Sequence, residues 1–152
     1  MTKNVIVTGG AGYIGSHTVV ELVESGFTPI IIDNFSNSKP ETIDRIEKIC
    51  KQKIKVYNIN CINEDALIKT IQWNEIDGVI HFAAYKSVSE SFKKKEDYFL
   101  NNINSTKILL KIMEKYNIQS FVFSSSCTVY GNTTKLPVTE KTELTKQSSP
   151  YG

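Results

Sequence analysis

A glycine-rich segment near the start of the chain, TGGAGYIG at residues 8–15, carries the clearest chemical signal in the sequence. It falls between a predicted buried strand, 4–8, and a predicted helix that runs from Gly12 to about Ser25. Glycines at such a junction permit a tight turn, let the backbone approach a pyrophosphate and let helix and strand pack closely. The N-terminus of the helix offers N–H groups and a positive dipole to the phosphates. Glycines at 9, 12 and 15 and glycines at 10, 12 and 15 both fit a dinucleotide-binding turn.

An acidic residue at the end of the second predicted strand bears on the choice of cofactor. Asp33 follows the apolar run Pro29-Ile30-Ile31-Ile32. A carboxylate at this place can accept hydrogen bonds from the adenosine ribose hydroxyls, and it would repel a 2′-phosphate. A solvated turn residue is the alternative interpretation of Asp33, but the glycine turn that precedes it favours the functional one. The sequence therefore predicts NAD rather than NADP as the cofactor.

The elements that must position these residues alternate along the whole chain. Strands are predicted at 4–8, 29–33, 54–59, 77–83 and 120–125, and amphipathic helices at 12–25, 42–51, 63–73 and 98–116. Such alternation implies parallel pairing with right-handed crossovers. Apolar strands without polar alternation imply that both faces of the sheet are covered. The predicted fold class is therefore α/β, a doubly wound parallel sheet of the Rossmann type.

Side-chain patterns add local expectations. Asn63 is predicted to cap the third helix and Gly26 to end the first. His81, inside an apolar strand, is predicted to be a core histidine with satisfied hydrogen bonds. Apolar residues at helical spacing are expected to face inward: Ile43, Ile46 and Ile49 in 42–51, and Leu100, Ile103, Ile108, Leu109 and Ile112 in 98–116.

Composition limits the function classes. A chain of 152 residues with 40% hydrophobic and 22% charged residues is long enough for one domain with a core. A formal net charge of +2 is too small to indicate nucleic acid or a membrane surface as partner. Cys50, Cys61 and Cys127 have no metal-ligand spacing, so no metal site is predicted, and a reducing cytosol is expected. The N-terminus leads into a strand instead of a signal peptide.

Four ordered segments together resemble one known family. They are TGGAGYIGSHT at 8–18, HFAAYKSVSES at 81–91, SSSCTVYG at 124–131 and SPYG at 149–152. Together they resemble the UDP-galactose 4-epimerases, also called UDP-glucose 4-epimerases, within the extended short-chain dehydrogenases. The resemblance covers all 152 residues, which match the N-terminal half of that family.

The resemblance implies roles for individual residues. Tyr151 would transfer the proton, and Ser126 would hydrogen-bond near the reacting sugar hydroxyl, so these two are the predicted catalytic residues. Lys86, Ser126 and Tyr151 are the predicted substrate-binding residues. The predicted NAD-binding residues are Gly9, Gly12, Tyr13, Ile14, Gly15, Asp33, Asn34, Phe35, Ser36, Asn37, Ser38, Cys61, Ile62, Phe82, Ala83, Ala84, Tyr85, Lys86, Asn101, Ser126 and Tyr151.

The activity implied by the resemblance is the NAD-dependent interconversion of UDP-galactose and UDP-glucose by transient oxidation at sugar C4. The implied partners are a UDP-hexose and, through the helix at 98–116, a second copy of the chain. Two rival readings stay open. One is another nucleotide-sugar epimerase or dehydratase, although dehydratases carry an Asp-Glu pair where this chain has Ser125-Ser126-Cys127. The other is a non-catalytic NAD-binding module or remnant.

The chain also departs from the family pattern. Cys61 stands where the family has an aspartate that contacts the adenine amino group. The family lysine four positions after Tyr151 would fall at position 151 + 4 = 155, past the last printed residue. A tyrosine phenol without a neighbouring cation is a weak base at neutral pH. Residues 1–152 are therefore expected to form an incomplete NAD-binding domain, truncated after the fifth strand, without the substrate domain and inactive alone. The fifth strand should then be an exposed sheet edge.

Overall fold

A computed structural model describes residues 2–152 and shows a five-stranded parallel sheet with helices against both faces. The strands are β1 (Asn4–Thr8), β2 (Thr28–Asp33), β3 (Lys55–Asn58), β4 (Gly78–His81) and β5 (Ser120–Phe123). The helices are α1 (Tyr13–Glu24), α2 (Glu41–Cys50), α3 (Glu64–Asn74), α4 (Val88–Lys93), α5 (Lys95–Tyr98) and α6 (Ser105–Lys115). A π-helix, Phe99–Asn104, joins α5 to α6, and a 3₁₀ turn, Cys127–Tyr130, follows β5.

The strand order is β3-β2-β1-β4-β5, and every pair is parallel. The chain moves outward from β1 to β3 on one side, then crosses to β4 and moves outward on the other. The carboxyl ends of β1 and β4 therefore meet where the winding reverses, the place at which open α/β sheets bind ligands. The predicted fold class is confirmed.

Two apolar clusters cover the two faces of the sheet, as the uninterrupted apolar strands predict. Successive residues of a strand point to opposite faces, so Ile6 packs in one cluster while Val7 packs in the other. The first cluster joins the sheet to α3 and α6 through residues such as Leu67 and Leu109. The second joins it to α1 and α2 through Val19 and Ile46. Both layers are needed to hold the strand ends in place.

The predicted helix ends are confirmed at two positions. Asn63 precedes α3, and its Oδ1 accepts a hydrogen bond of 3.1 Å from the N–H of Ala66. Glu64 and Asp65 occupy the first turn of α3, where the helix dipole stabilises acidic side chains. Gly26 follows α1 with φ of +80°, a conformation that glycine adopts without the steric cost of a Cβ.

The helix predicted at 98–116 is present, but its first part, Phe99–Asn104, is a π-helix. The chain forms α5, then the π-helix, then α6, and the extra residue per π turn changes the phase of the apolar pattern. Leu109 and Ile112, in α6, are buried as predicted, whereas Leu100 and Ile103, in the π-helix, are 55% and 37% exposed. Ile49, near the end of α2, is also exposed, contrary to prediction.

The fifth strand forms an open edge in the described part of the chain. β5 pairs with β4, and Val122 and Phe123 are 57% and 53% exposed. This matches the edge expected from the sequence. Among residues 2–152, no helix has both the length and the apolar character needed to cross a membrane.

Candidate cofactor-binding site

A cavity of about 390 Å³ lies at the carboxyl ends of the strands, above the β1–β4 junction. Most of the sequence-predicted residues line it: Gly9, Gly12, Tyr13, Ile14, Gly15, Asp33, Asn34, Ser36, Asn37, Ser38, Cys61, Phe82, Ala83, Ala84, Tyr85, Lys86 and Asn101. Among the described residues, Asp33 is the one acidic side chain in this lining and Lys86 the one lysine or arginine. Asp33 is the last residue of β2 and Lys86 lies in the segment after β4, so the two charges stand on opposite sides of β1.

The glycine turn packs against the strand next to it. Gly9 has φ of +67°, and an added Cβ would lie 2.9 Å from the backbone nitrogen of Ala83. A Cβ on Gly15 would collide with the carbonyl oxygen of Gly9, while one on Gly10 would meet Ile31 at 2.8 Å. Gly9, Gly12 and Gly15 line the cavity, but Gly10 packs toward the core. The structure therefore favours the 9, 12 and 15 register of the two that fit the sequence.

The N-terminus of α1 faces this cavity without a side-chain cap. Gly12 is the N-cap residue, and its carbonyl accepts the first helical bond, 2.9 Å, from the N–H of Ser16. The N–H groups of Tyr13 and Ile14 lie within the first turn, where no intrahelical acceptor exists. In the described structure no side chain caps them. Free donors at the positive end of a helix fit a pyrophosphate.

Asp33 is held in one orientation by the turn that follows it. Its Oδ2 accepts from the N–H of Ala11 at 3.0 Å. Its Oδ1 accepts from the N–H of Phe35 and from Ser38 Oγ, both at 2.9 Å. The residue is only 8% exposed, yet it lines the cavity. Because three donors fix the carboxylate, its charge faces the cavity without side-chain rearrangement, which fits ribose hydroxyls and disfavours a phosphate.

Cys61 lies in the cavity wall where the sequence analysis notes the missing aspartate. Its side chain is buried, and burial, with Asp33 nearby, raises the pKa of the thiol to about 12. The group is therefore a neutral thiol at physiological pH. It is a weak hydrogen-bond acceptor at most, so the pairing that a carboxylate would give to an amino group is absent from this wall.

A buried hydrogen bond joins the ends of β1 and β4 below the cavity. Thr8 Oγ1 lies 2.6 Å from His81 Nδ1, and it accepts a further bond of 3.2 Å from the N–H of Ala83. His81 is 3% exposed, and burial lowers the pKa of its imidazole to about 4. The prediction of a satisfied core histidine is confirmed. Its neutral ring helps to hold the segment that forms the cavity floor.

Ser126, Tyr151, Phe35 and Ile62 lie outside the cavity lining. Ser126 is the N-cap of the 3₁₀ turn, and its Oγ accepts from Thr128 N at 3.3 Å and from Thr128 Oγ1 at 3.0 Å. The Ser126 side chain therefore caps this turn.

Tyr151 is half-buried, and it approaches the cavity through another aromatic ring. It packs edge-on against Tyr98, with ring centroids 6.3 Å apart, and Tyr98 contacts Tyr85 of the cavity wall at 5.4 Å. A Cβ added to Gly152 would lie 2.9 Å from the carbonyl oxygen of Thr128, next to Ser126. Tyr151 thus lies one aromatic ring away from the cavity wall, while Ser126 follows β5 at the carboxyl edge of the sheet.

Sequence reasoning missed four residues of the lining: Ile32, Ile59, Asn60 and Ser105. Ile32, Ile59 and Asn60 stand at the carboxyl ends of β2 and β3, so the strand-end rule could have found them. Ser105 gave no comparable signal, because its position depends on the π-helix before it.

A doubly wound parallel sheet whose glycine turn leads into an uncapped helix N-terminus, with a fixed carboxylate at the end of β2, defines a dinucleotide-binding domain. Comparison with known proteins identifies the family to which this dinucleotide-binding domain belongs. The chain belongs to the NAD dependent epimerase/dehydratase family, whose model matches residues 5–152.

The similar proteins carry a consistent name. A UDP-glucose 4-epimerase of Dictyostelium discoideum is 48% identical over 148 residues, 97% of this chain and 43% of that protein. The UDP-glucose 4-epimerase of Homo sapiens is 41% identical over 158 aligned positions, 100% of this chain and 45% of that protein. A crystal structure of UDP-glucose 4-epimerase from Bifidobacterium longum with NAD⁺ and UDP superposes with a TM-score of 0.96 at 43% identity. That match covers 98% of this chain and 44% of the other, so the chain spans less than half the length of these relatives.

The buried His81 predicts a specific loss of stability in acid. In the unfolded chain a histidine takes up a proton near pH 6.5, whereas folded His81 does so only near pH 4. The unfolded state therefore binds more protons between these values, and the free energy of unfolding should fall by roughly 3 kcal/mol as pH falls through this window. Urea unfolding at a series of pH values measures this slope.

The matched comparison uses the two histidines. His81→Gln should remove this part of the acid slope, while His17→Gln, at an exposed position of α1, should keep it. Equal slopes in the His81→Gln variant and the unmodified protein would contradict the assignment to His81.

Proposed function

We propose that this chain provides the NAD-binding and proton-transfer residues of a UDP-glucose 4-epimerase, which interconverts UDP-galactose and UDP-glucose. The observation that supports the proposal is the packing of Tyr151 on Tyr98, which contacts Tyr85 in the wall of a cavity whose residues fit a dinucleotide. The relatives named UDP-glucose 4-epimerase, which match the chain almost from end to end, support it.

The cavity residues fit NAD part by part. The first-turn N–H groups of α1, at Tyr13 and Ile14, would hold the pyrophosphate. The Asp33 carboxylate would accept hydrogen bonds from the adenosine ribose. Lys86 and Asn101, on the β4 side of the cavity, would hold the nicotinamide half. When bound, NAD would supply a reversible hydride acceptor for the sugar C4 carbon.

The chain itself would handle the proton. Epimerisation by transient oxidation requires a base that takes the proton of the sugar 4-hydroxyl and later returns it. The phenolic oxygen of Tyr151 is the proposed site of that proton, and the Ser126 hydroxyl the proposed hydrogen-bonding partner of the sugar oxygen. A cation nearby would stabilise the phenolate, and Lys86 supplies the one lysine charge in the described cavity wall.

A second function, a non-catalytic NAD-binding module, is favoured by one observation. The Ser126 hydroxyl already accepts two hydrogen bonds from Thr128. An oxygen atom engaged in this way has less capacity for a substrate. A change in nicotinamide absorbance when UDP-galactose is added separates the two functions, because only the enzyme transfers hydride.

We also propose that residues 1–152 act as the NAD-binding domain of a protein with a further substrate-binding domain. Support comes from coverage, since the chain spans 43% of the Dictyostelium relative. Intact mass spectrometry of the native protein tests this, and a mass of 17.1 kDa would contradict it.

A cytosolic location stays a prediction that three free cysteines support. Fractionation to a secretory compartment would exclude it.

A homodimer is the proposed assembly. Phe92, Phe99 and Leu100 on α4 and the π-helix are 61%, 58% and 55% exposed, an apolar surface that a second copy of the chain could cover. Sedimentation of the purified protein at micromolar concentration tests the proposal. A single species with the mass of one chain would exclude the dimer.

Tyr151→Phe tests the catalytic assignment. The substitution removes one oxygen and keeps the ring packed on Tyr98, so the protein should fold and bind NAD as before. Measured in the full-length protein to which the chain is proposed to belong, kcat for UDP-galactose should fall about hundredfold or more, because positioned acid–base groups contribute at least that factor. Tyr116→Phe is the matched control, since the hydroxyl of Tyr116 receives only a surface bond from Gln72. A Tyr151→Phe protein with unchanged kcat would remove Tyr151 from the mechanism.

Asp33→Asn tests the cofactor preference. The variant keeps the size and one acceptor oxygen, for the Phe35 N–H and the Ser38 hydroxyl, but it gives up the bond from the Ala11 N–H. It also removes the charge that repels a 2′-phosphate. The ratio of the Kd values for NADPH and NADH should fall about tenfold or more, which corresponds to about 1.4 kcal/mol. Nicotinamide fluorescence gives both constants. Asp65→Asn, at an exposed position of α3, makes the same chemical change away from the cavity and should leave the ratio as it is. An unchanged ratio in Asp33→Asn would mean that discrimination lies elsewhere.

A further inference from the structure

The 3₁₀ turn that follows β5 is closed at its carboxyl end by side chains from a later segment of the chain. The last carbonyl groups of a helical turn have no partner within the turn itself. In this turn they belong to Val129 and Tyr130. Thr145 Oγ1 donates a hydrogen bond of 2.7 Å to the Tyr130 carbonyl, and Gln147 Nε2 donates one of 2.9 Å to the Val129 carbonyl. Two side chains of one short segment therefore cap the turn.

The backbones of the turn and of this segment also pack directly against each other. Gly131 ends the turn with φ of +61°, and an added Cβ would lie 2.5 Å from both the Lys146 carbonyl oxygen and Thr145 Oγ1. A side chain at this position would push the segment away from the turn. Gln147 Nε2 also donates to the Thr145 carbonyl at 3.0 Å, so the two capping residues are bonded to each other.

This contact joins the two hydroxyl groups that the sequence singles out for catalysis. Ser126 begins the 3₁₀ turn, and Tyr151 follows Gln147 in the capping segment. Residues 131–152 form neither helix nor strand, so no regular backbone ladder sets the distance between the two hydroxyls. The Tyr151 ring is held on one side by Tyr98. The Thr145 and Gln147 bonds hold the segment that carries this ring against the turn that carries Ser126.

We propose that Thr145 and Gln147 are positioning residues, which hold Tyr151 in register with Ser126 so that both hydroxyls can reach one sugar oxygen. This inference rests on the proposed function, because it assumes that Ser126 and Tyr151 both act on the sugar. Neither Thr145 nor Gln147 lines the cofactor cavity. Their contribution is therefore to the catalytic step and not to the binding of NAD.

Thr145→Val tests the first of the two bonds in the full-length protein to which the chain is proposed to belong. Valine has the shape of threonine without the hydroxyl. The value of kcat for UDP-galactose should fall about fivefold to tenfold, the range that corresponds to one net hydrogen bond. The Kd for NAD should stay within about twofold, and Thr145→Ser, which keeps the hydroxyl, should restore kcat. Thr142→Val is the matched control, since the Thr142 hydroxyl accepts from Thr139 of its own loop.

Gln147→Glu tests the second bond at an exposed position where loss of folding is not expected. The variant keeps the size of the side chain but removes the donor and points a carboxylate oxygen at the Val129 carbonyl. We expect kcat to fall about tenfold or more, again with the Kd for NAD unchanged. Gln119→Glu makes the same chemical change just before β5, where the amide bonds to Asn117, and should leave kcat as it is.

A double-mutant cycle separates positioning from general loosening of the fold. If Thr145 acts through Tyr151, then Thr145→Val should change kcat by less than about twofold in a protein that already carries Tyr151→Phe. A general structural effect would lower kcat by the same factor in both backgrounds. Such additivity would overturn the proposal.

The remaining outcomes are equally distinct. Unchanged kcat in both Thr145→Val and Gln147→Glu would overturn the inference, as would a parallel rise in the Kd for NAD or failure of both variants to fold. A loss of kcat in Tyr151→Phe alone would leave the proposed function intact and remove this inference. Absence of epimerase activity in the unmodified full-length protein would overturn the proposed function, and the inference with it.

Discussion

The close approach of Gly9 to the backbone of Ala83 is the constraint on which the site depends. β1 and β4 are neighbours in space, although the chain between them forms two other strands. The contact leaves no room for a Cβ on Gly9, and Gly15 is equally closed in by the Gly9 carbonyl. Both contacts allow the N-terminus of α1 to pack directly against the carboxyl ends of the strands. The free N–H groups of the helix and the floor of the cavity are therefore fixed by the same packing.

Polar groups under the cavity are nearly all paired within the protein. Thr8 and His81 satisfy each other between β1 and β4, and the Asp33 carboxylate accepts three donors from its own turn and from the glycine turn. Unpaired polar groups in such a place would cost several times what a hydrogen bond gains. The pairing leaves exposed to the cavity the N–H groups of α1 and the charges of Asp33 and Lys86. The polar groups of the cavity floor are thus held by bonds within the protein. The groups that face the cavity, which are N–H donors and one charge of each sign, are those that a dinucleotide needs.

Much of this arrangement could be predicted from the sequence because it depends on local rules. The glycine turn, the fixed acid after β2 and the Asn63 cap each follow from a few adjacent residues. The register of the glycines could not be chosen, since Gly9 and Gly10 differ only in what lies above them, Ala83 or Ile31. The π-helix was also out of reach. The residues of 99–104 carry an ordinary helical pattern, and the tertiary contacts of this segment, such as the bond between Asn102 and Tyr85 seventeen positions away, cannot be read from it.

The protonation state of Cys61 also depends on its tertiary surroundings, which the local sequence does not show. By its place at the end of β3, this residue belongs to the cofactor cavity, yet burial keeps its thiol neutral. A carboxylate at that position would stand close to Asp33, and two buried negative charges would raise each other's pKa. With a neutral thiol, Asp33 is the sole acid in the described wall, so in the proposed NAD complex it would carry the preference against a 2′-phosphate. In that proposed complex the chain would lack a charged hydrogen-bond acceptor for the adenine, and the Asp33 charge would face the ribose without a second carboxylate beside it.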